Sequence, residues 1–482
     1  MKFFRALYRL GVTLRTCSGY KWRSSCSSIN NNLRASWRAD LSTFAKKNLH
    51  DPAEQVEQLL SDLDTLSVEQ RKDAYARALN SAQQGSSKGK LLVGCLLRCG
   101  IGTERNEKKA LEVLEPLAES GDAYASFLCG DILEQMYEET LSATHVAEQS
   151  AQIRDMKAYL DEKYSESRTF LEKAIRYYEK SVENGNDESL VALGNAWLKM
   201  QHPEKAKEAY MKAVEKGITS ALLCLGNLYF RGFVGKFSSV SPDGLKASKY
   251  LTASAEEGNT EAKYLLGELY SSGLEPIEPD EASAIRYLES AAEDNHSEAC
   301  YLLSKILLDK EELDPGTVDM EKILKYLLVA AEENHSGACY FLADLYYKAG
   351  GLENYQQALS LFERSGVSGM PSGFYMAAMM HLYGVGTQKD AKMGIELLNR
   401  AAEMGSIEAL EKLGELYRFG EFGLEKSEEK AVMFQKAASS LKEREVTQPL
   451  ETSPLWSKRV PANKGIYPKL LETKTDKRNL PK

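Results

Sequence analysis

The chain has 482 residues, of which 43% are hydrophobic and 27% are charged, and its formal net charge at pH 7 is −9. This length exceeds that of one ordinary compact core, so it predicts several domains or an array of repeats. The composition is typical of globular proteins, and the absence of any run of about 18 apolar residues excludes a predicted membrane-spanning helix.

The charge is unevenly distributed along the chain. Residues 1–39 hold eight basic and no acidic side chains, and residues 442–482 hold ten basic and five acidic ones. Residues 40–441 therefore carry a net charge of −22. Because contacts to phosphate need Lys and Arg, a body this acidic argues against nucleic acid as a partner.

Residues 1–39 have the composition of a mitochondrial transit peptide. Apolar side chains recur at helical spacing, with Arg5, Arg9 and Arg15 between them, as in an amphipathic basic presequence. Arginine interrupts every candidate apolar stretch, which argues against a secretory signal. The alternative is a basic arm or an interfacial helix. We expect cleavage between Ser28 and Asp40, and a location in the matrix or peripheral to the inner membrane.

Residues 40–85 form the next predicted segment. They contain two helical stretches, DPAEQVEQLLSDLDTL and, after Ser67 as an N-cap, VEQRKDAYARALNSAQ. Neither stretch follows the pattern of the residues beyond it. We therefore predict a helical cap on a repeat array.

A repeated helix–turn–helix phrase occupies residues 86–441. Ala291–Leu308 and Ala330–Tyr347 match at 10 of 18 positions and lie 39 residues apart. The second helix of each phrase ends on a small residue, at Ala118, Val182, Val214, Ala255, Ala292, Ala331, Gly366, Ala402 and Ala438. Four positions earlier the residue is large and apolar, at Leu114, Tyr178, Tyr210, Leu251, Leu288, Leu327, Phe362, Leu398 and Phe434. Spacings of 32–41 residues for most copies indicate stacked helix pairs.

A second recurring feature is the residue that ends each second helix. Three positions after the small residue stand Gly121, Gly185, Gly217, Gly258, Asn295, Asn334, Gly369 and Gly405. Glycine, and after it asparagine, adopts the left-handed conformation that commonly terminates a helix. These residues therefore predict the helix ends.

The first helix of the phrase carries a glycine followed three positions later by a tyrosine. The pairs are Gly226 and Tyr229, Gly267 and Tyr270, and Gly414 and Tyr417. We expect the small residue to admit the second helix closely and the aromatic ring to fill the space beside it. One such pair cannot bury its apolar face alone, so the pairs are expected to stack.

These patterns resemble the Sel1-like repeat, a relative of the tetratricopeptide repeat. The resemblance is carried by SALLCLGNLYFRG (Ser220–Gly232), EAKYLLGELYSSG (Glu261–Gly273) and EALEKLGELYRFG (Glu408–Gly420). It implies an all-α fold, an α-solenoid of about nine stacked helix–turn–helix repeats over residues 86–441. Repeat 2 holds about 27 extra residues between Ile132 and Thr169, which we expect to lengthen its helices or form a protruding helical hairpin. Insertions at Phe233–Gly244 and Lys310–Asp319 contain Gly and Pro and are expected to be loops.

The sequence offers little that points to catalysis, and we predict no cofactor and no metal. Common phosphate-loop, dinucleotide, zinc-protease and serine-hydrolase motifs do not occur, so we expect a protein that is not an enzyme. His296 and His335 occupy the same turn in consecutive repeats, and we expect them to be turn residues that follow Asn caps. Cys95 and Cys99 lie on one face of a predicted helix and leave a redox role open.

The predicted function is a non-catalytic mitochondrial scaffold that binds other proteins, with a peptide or helix held in the groove of the solenoid. Candidate groove residues are Tyr229, Tyr270, Tyr346, Tyr347, Tyr383 and Tyr417. The family resemblance implies an assembly factor for a respiratory-chain complex such as cytochrome oxidase. The alternative is an RNA-linked factor of mitochondrial translation or the mitochondrial ribosome.

The last segment, residues 442–482, is basic, rich in proline and without helical periodicity, which predicts an extended tail. Trp456, Tyr467 and Leu470 are its candidate anchors. The tail is expected either to dock on a partner or to fold back over the last repeat.

Overall fold

The structure is a computed structural model that describes residues 67–150, 156–313 and 319–447. In these residues the chain forms nineteen helices and one short pair of strands. The helices are α1 (Val68–Gln83), α2 (Ser87–Cys99), α3 (Glu107–Glu119), α4 (Ala123–Ser150), α5 (Met156–Glu183), α6 (Ser189–Lys199), α7 (Pro203–Glu215), α8 (Ser220–Arg231), α9 (Gly244–Glu256), α10 (Thr260–Ser272), α11 (Glu281–Glu293), α12 (Ser297–Leu313), α13 (Met320–Glu332), α14 (Ser336–Ala349), α15 (Leu352–Val367), α16 (Pro371–Tyr383), α17 (Ala391–Glu403), α18 (Ile407–Phe419) and α19 (Glu428–Thr447). The strands are β1 (Phe233–Val234) and β2 (Ser239–Val240), which lie between α8 and α9.

From α2 onward eight helix pairs of the described residues pack as hairpins, from α2–α3 to α10–α11 and from α14–α15 to α18–α19, and the predicted all-α solenoid is confirmed. The chain divides into two compact units at the boundary between Ala299 and Cys300. In the first unit α1 packs against α2, and each hairpin packs against the next. The first helices α2, α4, α6, α8 and α10 also contact one another in that order, so they form a continuous layer in this unit.

The close approach of the two helices in a hairpin depends on a small residue, as predicted. In the first unit a Cβ atom added to the glycine would come within 2.3–2.8 Å of a large side chain on the second helix. The pairs are Gly94 with Leu114, Gly130 with Tyr178, Gly194 with Tyr210, Gly226 with Leu251 and Gly267 with Leu288. The five partners are at most 1% exposed. Helix-to-helix distance in each hairpin is therefore set by a glycine against one buried side chain.

The predicted helix ends are also confirmed. All eight residues of the cap column have positive φ, from 58° at Asn295 and Asn334 to 101° at Gly369. Asparagine replaces glycine at two of these ends because it tolerates the left-handed region better than other residues with a Cβ atom.

The second hairpin is lengthened, as the extra residues of repeat 2 predicted. Its helices α4 and α5 have 28 residues each, whereas α2, α3, α7, α9, α10 and α11 have 13 each. Ser67 caps α1 in a reciprocal arrangement with Gln70, which confirms it as an N-cap.

Two insertions differ from the predicted loops. Residues 233–240 form a β-hairpin, in which Phe233 pairs with Val240 and Val234 with Ser239. Two short runs of β-branched and aromatic residues around Gly235 and Lys236 favour this pairing over an open loop. The second insertion begins as helix, since α12 continues to Leu313. Likewise α19 continues to Thr447, six residues into the predicted tail.

Candidate protein-binding surface

The first unit has an edge at which the first helix of each hairpin ends and the second begins, and we call it the turn edge. It comprises residues 100–106, the added turns of α4 and α5 at 136–150 and 156–170, and residues 200–202, 232–243 and 273–280. Neighbouring turns touch: the Gly244 N–H donates to the Glu275 carbonyl oxygen at 3.2 Å. Both insertions described in this unit lie on this edge, and in repeat proteins insertions commonly gather on the binding face.

A cleft of about 500 Å³ opens at the turn edge, between the start of α3 and the added turns of α4 and α5. Its lining residues are Arg105, Asn106, Glu107, Lys108, Met136, Glu139, Thr140, Glu166 and Phe170. The five from α4 and α5 all belong to the added turns, so the insertion in repeat 2 builds one wall of the cleft. Two large apolar side chains, Met136 and Phe170, lie among charged groups, a combination suited to one apolar side chain of a bound peptide.

Polar contacts fix the cleft lining. The Arg105 guanidinium donates to Glu107 at 2.5 Å and also to Glu139, which ties the start of α3 to α4. On α5, Lys163 pairs with Glu166, a residue of the cleft lining, at 2.6 Å. The side chains of Glu139 and Glu166 remain 55% and 42% exposed, so their carboxylates are accessible to a basic partner. The charged lining residues sum to −1.

A buried charge network anchors the added turns of α4 to α6. The Lys199 ammonium donates to Glu134 at 2.6 Å and also to Glu138, and the Tyr178 hydroxyl donates to the other Glu134 oxygen at 2.7 Å. The side chains of Lys199 and Glu134 are only 16% and 6% exposed. Burial by itself would lower the pKa of Lys199, but the two carboxylates outweigh it and raise that pKa above the ordinary lysine value, so the ammonium stays charged.

Similar pairs join other first helices. Arg98 at the end of α2 pairs with Asp131 on α4, and Arg231 at the end of α8 holds Glu268 on α10 with two hydrogen bonds of 2.8 and 3.3 Å. In each case the cation lies in the last turn of its helix, where it also offsets the negative end of the helix dipole. The carboxylates are almost fully buried, so these pairs fix how neighbouring first helices align.

Both predicted turn histidines cap helices. The Nδ1 atom of His296 accepts the Ala299 N–H at 3.2 Å, and Nδ1 of His335 accepts the Ala338 N–H at 3.0 Å. Since Nδ1 of His296 is an acceptor, its Nε2–H donates to the Glu261 carboxylate at 2.9 Å. The other Glu261 oxygen is buried without a hydrogen-bond partner. Burial raises the pKa of Glu261, and the contact with His296 only partly offsets it.

We predict that Glu261→Gln stabilises the first unit at neutral pH. Because the pKa of Glu261 is raised by folding, its ionised form carries a free-energy cost that appears as pH rises through the window between its unfolded and folded pKa values. Glutamine cannot ionise and can still accept the bond from His296. The thermal midpoint of the variant should exceed that of the wild type at pH 7.5, and the difference should shrink towards pH 4.

The matched control is Glu268→Gln. Glu268 is equally buried, but it accepts both hydrogen bonds from Arg231. Its neutralisation should lower the midpoint at pH 7.5 because an arginine loses its counter-charge. An equal loss of stability in the two variants would contradict this interpretation.

Four of the six predicted groove tyrosines pack against an aromatic ring on the second helix of their own hairpin. Tyr229 stacks on Tyr250 and is 9% exposed, Tyr270 stacks on Tyr287, and Tyr417 stacks on Phe434, with ring centres 5.7–5.9 Å apart. Tyr347 packs against Tyr355, and Tyr346 is half-buried. Tyr383 is 42% exposed and contacts Phe422 edge-on. None of the six lines the cleft.

Other predicted site residues are placed as follows. Cys95 is buried and Cys99 exposed, so the two thiols lie in different environments. Burial raises the pKa of Cys300 to about 11, which keeps that thiol protonated at neutral pH. Trp456, Tyr467 and Leu470 lie outside the described residues, as does all of segment 1–39. Over the residues that the structure describes, no cluster of His, Cys, Asp and Glu is arranged to hold a metal ion, and no helix could span a membrane.

A comparison with known protein families gives matches whose bounds coincide with several of these hairpins. The model of the Sel1 repeat matches residues 87–122, 171–186, 220–259, 260–296, 336–366, 374–406 and 407–441. The chain is a Sel1-repeat protein. The Sel1 match at 220–259 spans α8 and α9, and that at 260–296 spans α10 and α11. Of the lengthened hairpin only the end of α5 matches, and the added turns that line the cleft lie outside the matched residues.

Solved Sel1-repeat structures are similar to this chain. One is a protective antigen from uropathogenic Escherichia coli with an SLR fold, at 18% identity over 86% of this chain and 87% of that chain, with a TM-score of 0.48. Another is a Sel1 repeat protein from Oxalobacter formigenes, at 22% identity over 52% of this chain and 96% of that chain, with a TM-score of 0.45. None of the curated proteins matches the chain significantly.

Proposed function

We propose that this Sel1-repeat protein is a non-catalytic scaffold that binds partner proteins at the turn edge of its first unit. Proteins with Sel1 repeats generally act as protein-interaction scaffolds. The observation that carries the proposal is the cleft: added helical turns, outside the repeat pattern, hold Met136 and Phe170 beside accessible carboxylates. Such a lining suits a partner segment with an apolar side chain next to Lys or Arg, in keeping with the −22 charge of residues 40–441.

Charge reversal in the cleft tests this proposal. In affinity purification of the full chain from mitochondria, we expect stoichiometric partner proteins with the wild type and their loss with Glu139→Lys/Glu166→Lys. The control is Glu183→Lys, an exposed residue at the opposite end of α5. Binding should also weaken as salt rises, because the attraction is screened. Recovery of the chain alone, or equal recovery of partners with the double variant, would contradict the proposal.

We further propose that the scaffold acts in the mitochondrial matrix or at the inner membrane, as an assembly factor for a respiratory-chain complex such as cytochrome oxidase. The support is the basic, acid-free composition of residues 1–39 and the resemblance to Sel1-like proteins of that role. Loss of the chain should then lower the amount of the assembled complex without lowering the transcripts of its subunits. A selective defect in mitochondrial translation would instead support an RNA-linked factor.

The targeting role of the first segment has its own test. Residues 1–39 fused to a fluorescent protein should direct it to mitochondria, because a positive amphipathic helix is drawn inward by the membrane potential. Replacing Arg5, Arg9 and Arg15 with glutamate should leave the reporter outside. A reporter that stays outside mitochondria with the unaltered segment would refute the assignment.

A further inference from the structure

A second surface of the first unit lies around the β-hairpin of residues 233–240. The hairpin is pressed onto the preceding turn: a Cβ atom added to Gly235 would lie 2.4 Å from the Gln201 carbonyl oxygen. The Glu204 N–H donates to the Ser238 hydroxyl at 3.4 Å. Inward-facing Val240 is 5% exposed. The β-hairpin therefore packs against the preceding turn on one side and exposes its other side.

An aromatic stack joins the hairpin to α6. The rings of Phe237 and His202 are nearly parallel, 7° apart in orientation, with centres 4.3 Å apart. His202 in turn contacts Trp197 edge-on at 5.4 Å, and the Lys205 ammonium lies 4.0 Å from the centre of the Trp197 ring. These contacts hold Phe237 in place from one side.

The outer side of the hairpin is apolar and exposed. Val234 is 87% exposed and Phe237 is 50% exposed, although both belong to an ordered element. Adjacent exposed apolar side chains on a rigid base are typical of a contact surface. We call Trp197, His202, Val234, Lys236 and Phe237 the hairpin patch.

The charges around the hairpin patch are mainly positive. Lys236 is exposed and lies 5.7 Å from the Phe237 ring, and Lys205 is exposed beside Trp197. Desolvation, together with Lys205 and Arg168, lowers the pKa of His202, so its ring is neutral at physiological pH. Of the nearby acids, Glu204 pairs with Lys207 and Glu172 with Arg168, while Glu179 faces Lys205. This leaves a local positive surplus on an acidic chain.

We propose that the hairpin patch binds an acidic peptide segment of a partner protein. An aliphatic or aromatic side chain of that segment packs on Val234 and Phe237, and its carboxylates pair with Lys236 and Lys205. Phosphates could also meet the lysines, but residues 40–441 carry a net charge of −22, which disfavours a polyanion such as single-stranded nucleic acid more than a short acidic peptide. This inference goes beyond the proposed function, because it assigns a second contact site on the turn edge, apart from the cleft and with the opposite charge preference.

Selection from a random peptide display library against the purified full chain tests the inference. The selected peptides should include a class that combines net negative charge with aliphatic or aromatic residues, distinct from any basic peptides that bind the cleft. Their affinity should fall at least about tenfold with Phe237→Ser/Lys236→Glu. It should be unchanged with the cleft variant Glu139→Lys/Glu166→Lys, which separates this result from the test of the cleft. Val234→Asp is a second variant, and because all three residues are exposed, the helical circular dichroism should stay that of the wild type.

Three outcomes overturn the inference. The first is a selection that yields no acidic peptide, and the second is acidic peptides that bind Phe237→Ser/Lys236→Glu as well as they bind the wild type. The third is a single-stranded oligouridine probe that binds the wild type and is lost with Phe237→Ser/Lys236→Glu, since that would assign the patch to nucleic acid.

Discussion

Replacing Lys199 with methionine is expected to destabilise the second and third hairpins by about 3–5 kcal/mol, the usual cost of leaving a buried charge without its partner. Lys199 is the cation that faces both Glu134 and Glu138, and the Glu134 side chain is only 6% exposed. Methionine fills a similar volume, so the effect reports the lost charge rather than a cavity. Hydrogen exchange of peptides from α4, α5 and α6 measures the free energy of local opening directly.

The control for this variant is Lys216→Met. Lys216 is 58% exposed and pairs with Asp187 at 3.5 Å, so its loss should cost at most about 1 kcal/mol. Adding Glu134→Gln to Lys199→Met should recover part of the stability, because glutamine accepts the Tyr178 hydroxyl without a charge. If Lys199→Met cost no more than Lys216→Met, the network would not hold the added turns of α4.

Gly194→Ala should also be strongly destabilising, even though alanine is the better helix former. The added Cβ would lie 2.3 Å from Cε1 of Tyr210, whose ring is 1% exposed and whose hydroxyl donates to Asn195 at 2.6 Å. The ring can move only by breaking that bond and displacing the next hairpin. Overpacking of this kind costs about 1–3 kcal/mol, which is roughly 2–12 °C in the thermal midpoint for units of this size.

Gly414→Ala is the matched comparison at the equivalent position of the last hairpin. There the added Cβ would meet its nearest neighbour, the Ala431 carbonyl oxygen, at 3.3 Å. This mild contact should be balanced by a gain in helix propensity of about 1 kcal/mol. Equal loss of stability in both variants would mean that glycine is required for a reason other than the approach of the second helix.

The repeat architecture was predictable because it depends on residues with local conformational or packing effects that recur from copy to copy. Glycine at Gly121 or asparagine at Asn295 specifies a left-handed helix end whatever surrounds it, and Gly194 requires a large partner such as Tyr210 at a fixed position. Stacking then follows from nearest-neighbour burial. The lengthening of repeat 2 was equally predictable, since its extra residues favour helix.

The candidate binding surfaces were not predictable in the same way. Tyrosines were predicted to line a binding groove, and that remains a prediction; the structure shows in addition that Tyr229 and Tyr270 stack on tyrosines of the second helix. The cleft needs Arg105 and Glu139, which are 34 residues apart and carry no shared pattern. Likewise the stack of His202 on Phe237 depends on an insertion folding back over the preceding turn. The available signal was the position of both insertions on one edge.

Cross-linking mass spectrometry of the full chain purified from its own cells together with its partners tests the central claim most directly. If partners bind at the turn edge, lysine-reactive cross-links to them should concentrate on Lys108, Lys163 and Lys236. Lys180 and Lys216, near the opposite edge, should give few. Cross-links that concentrate on Lys180 and Lys216, or a purified chain that carries no partner, would contradict the account.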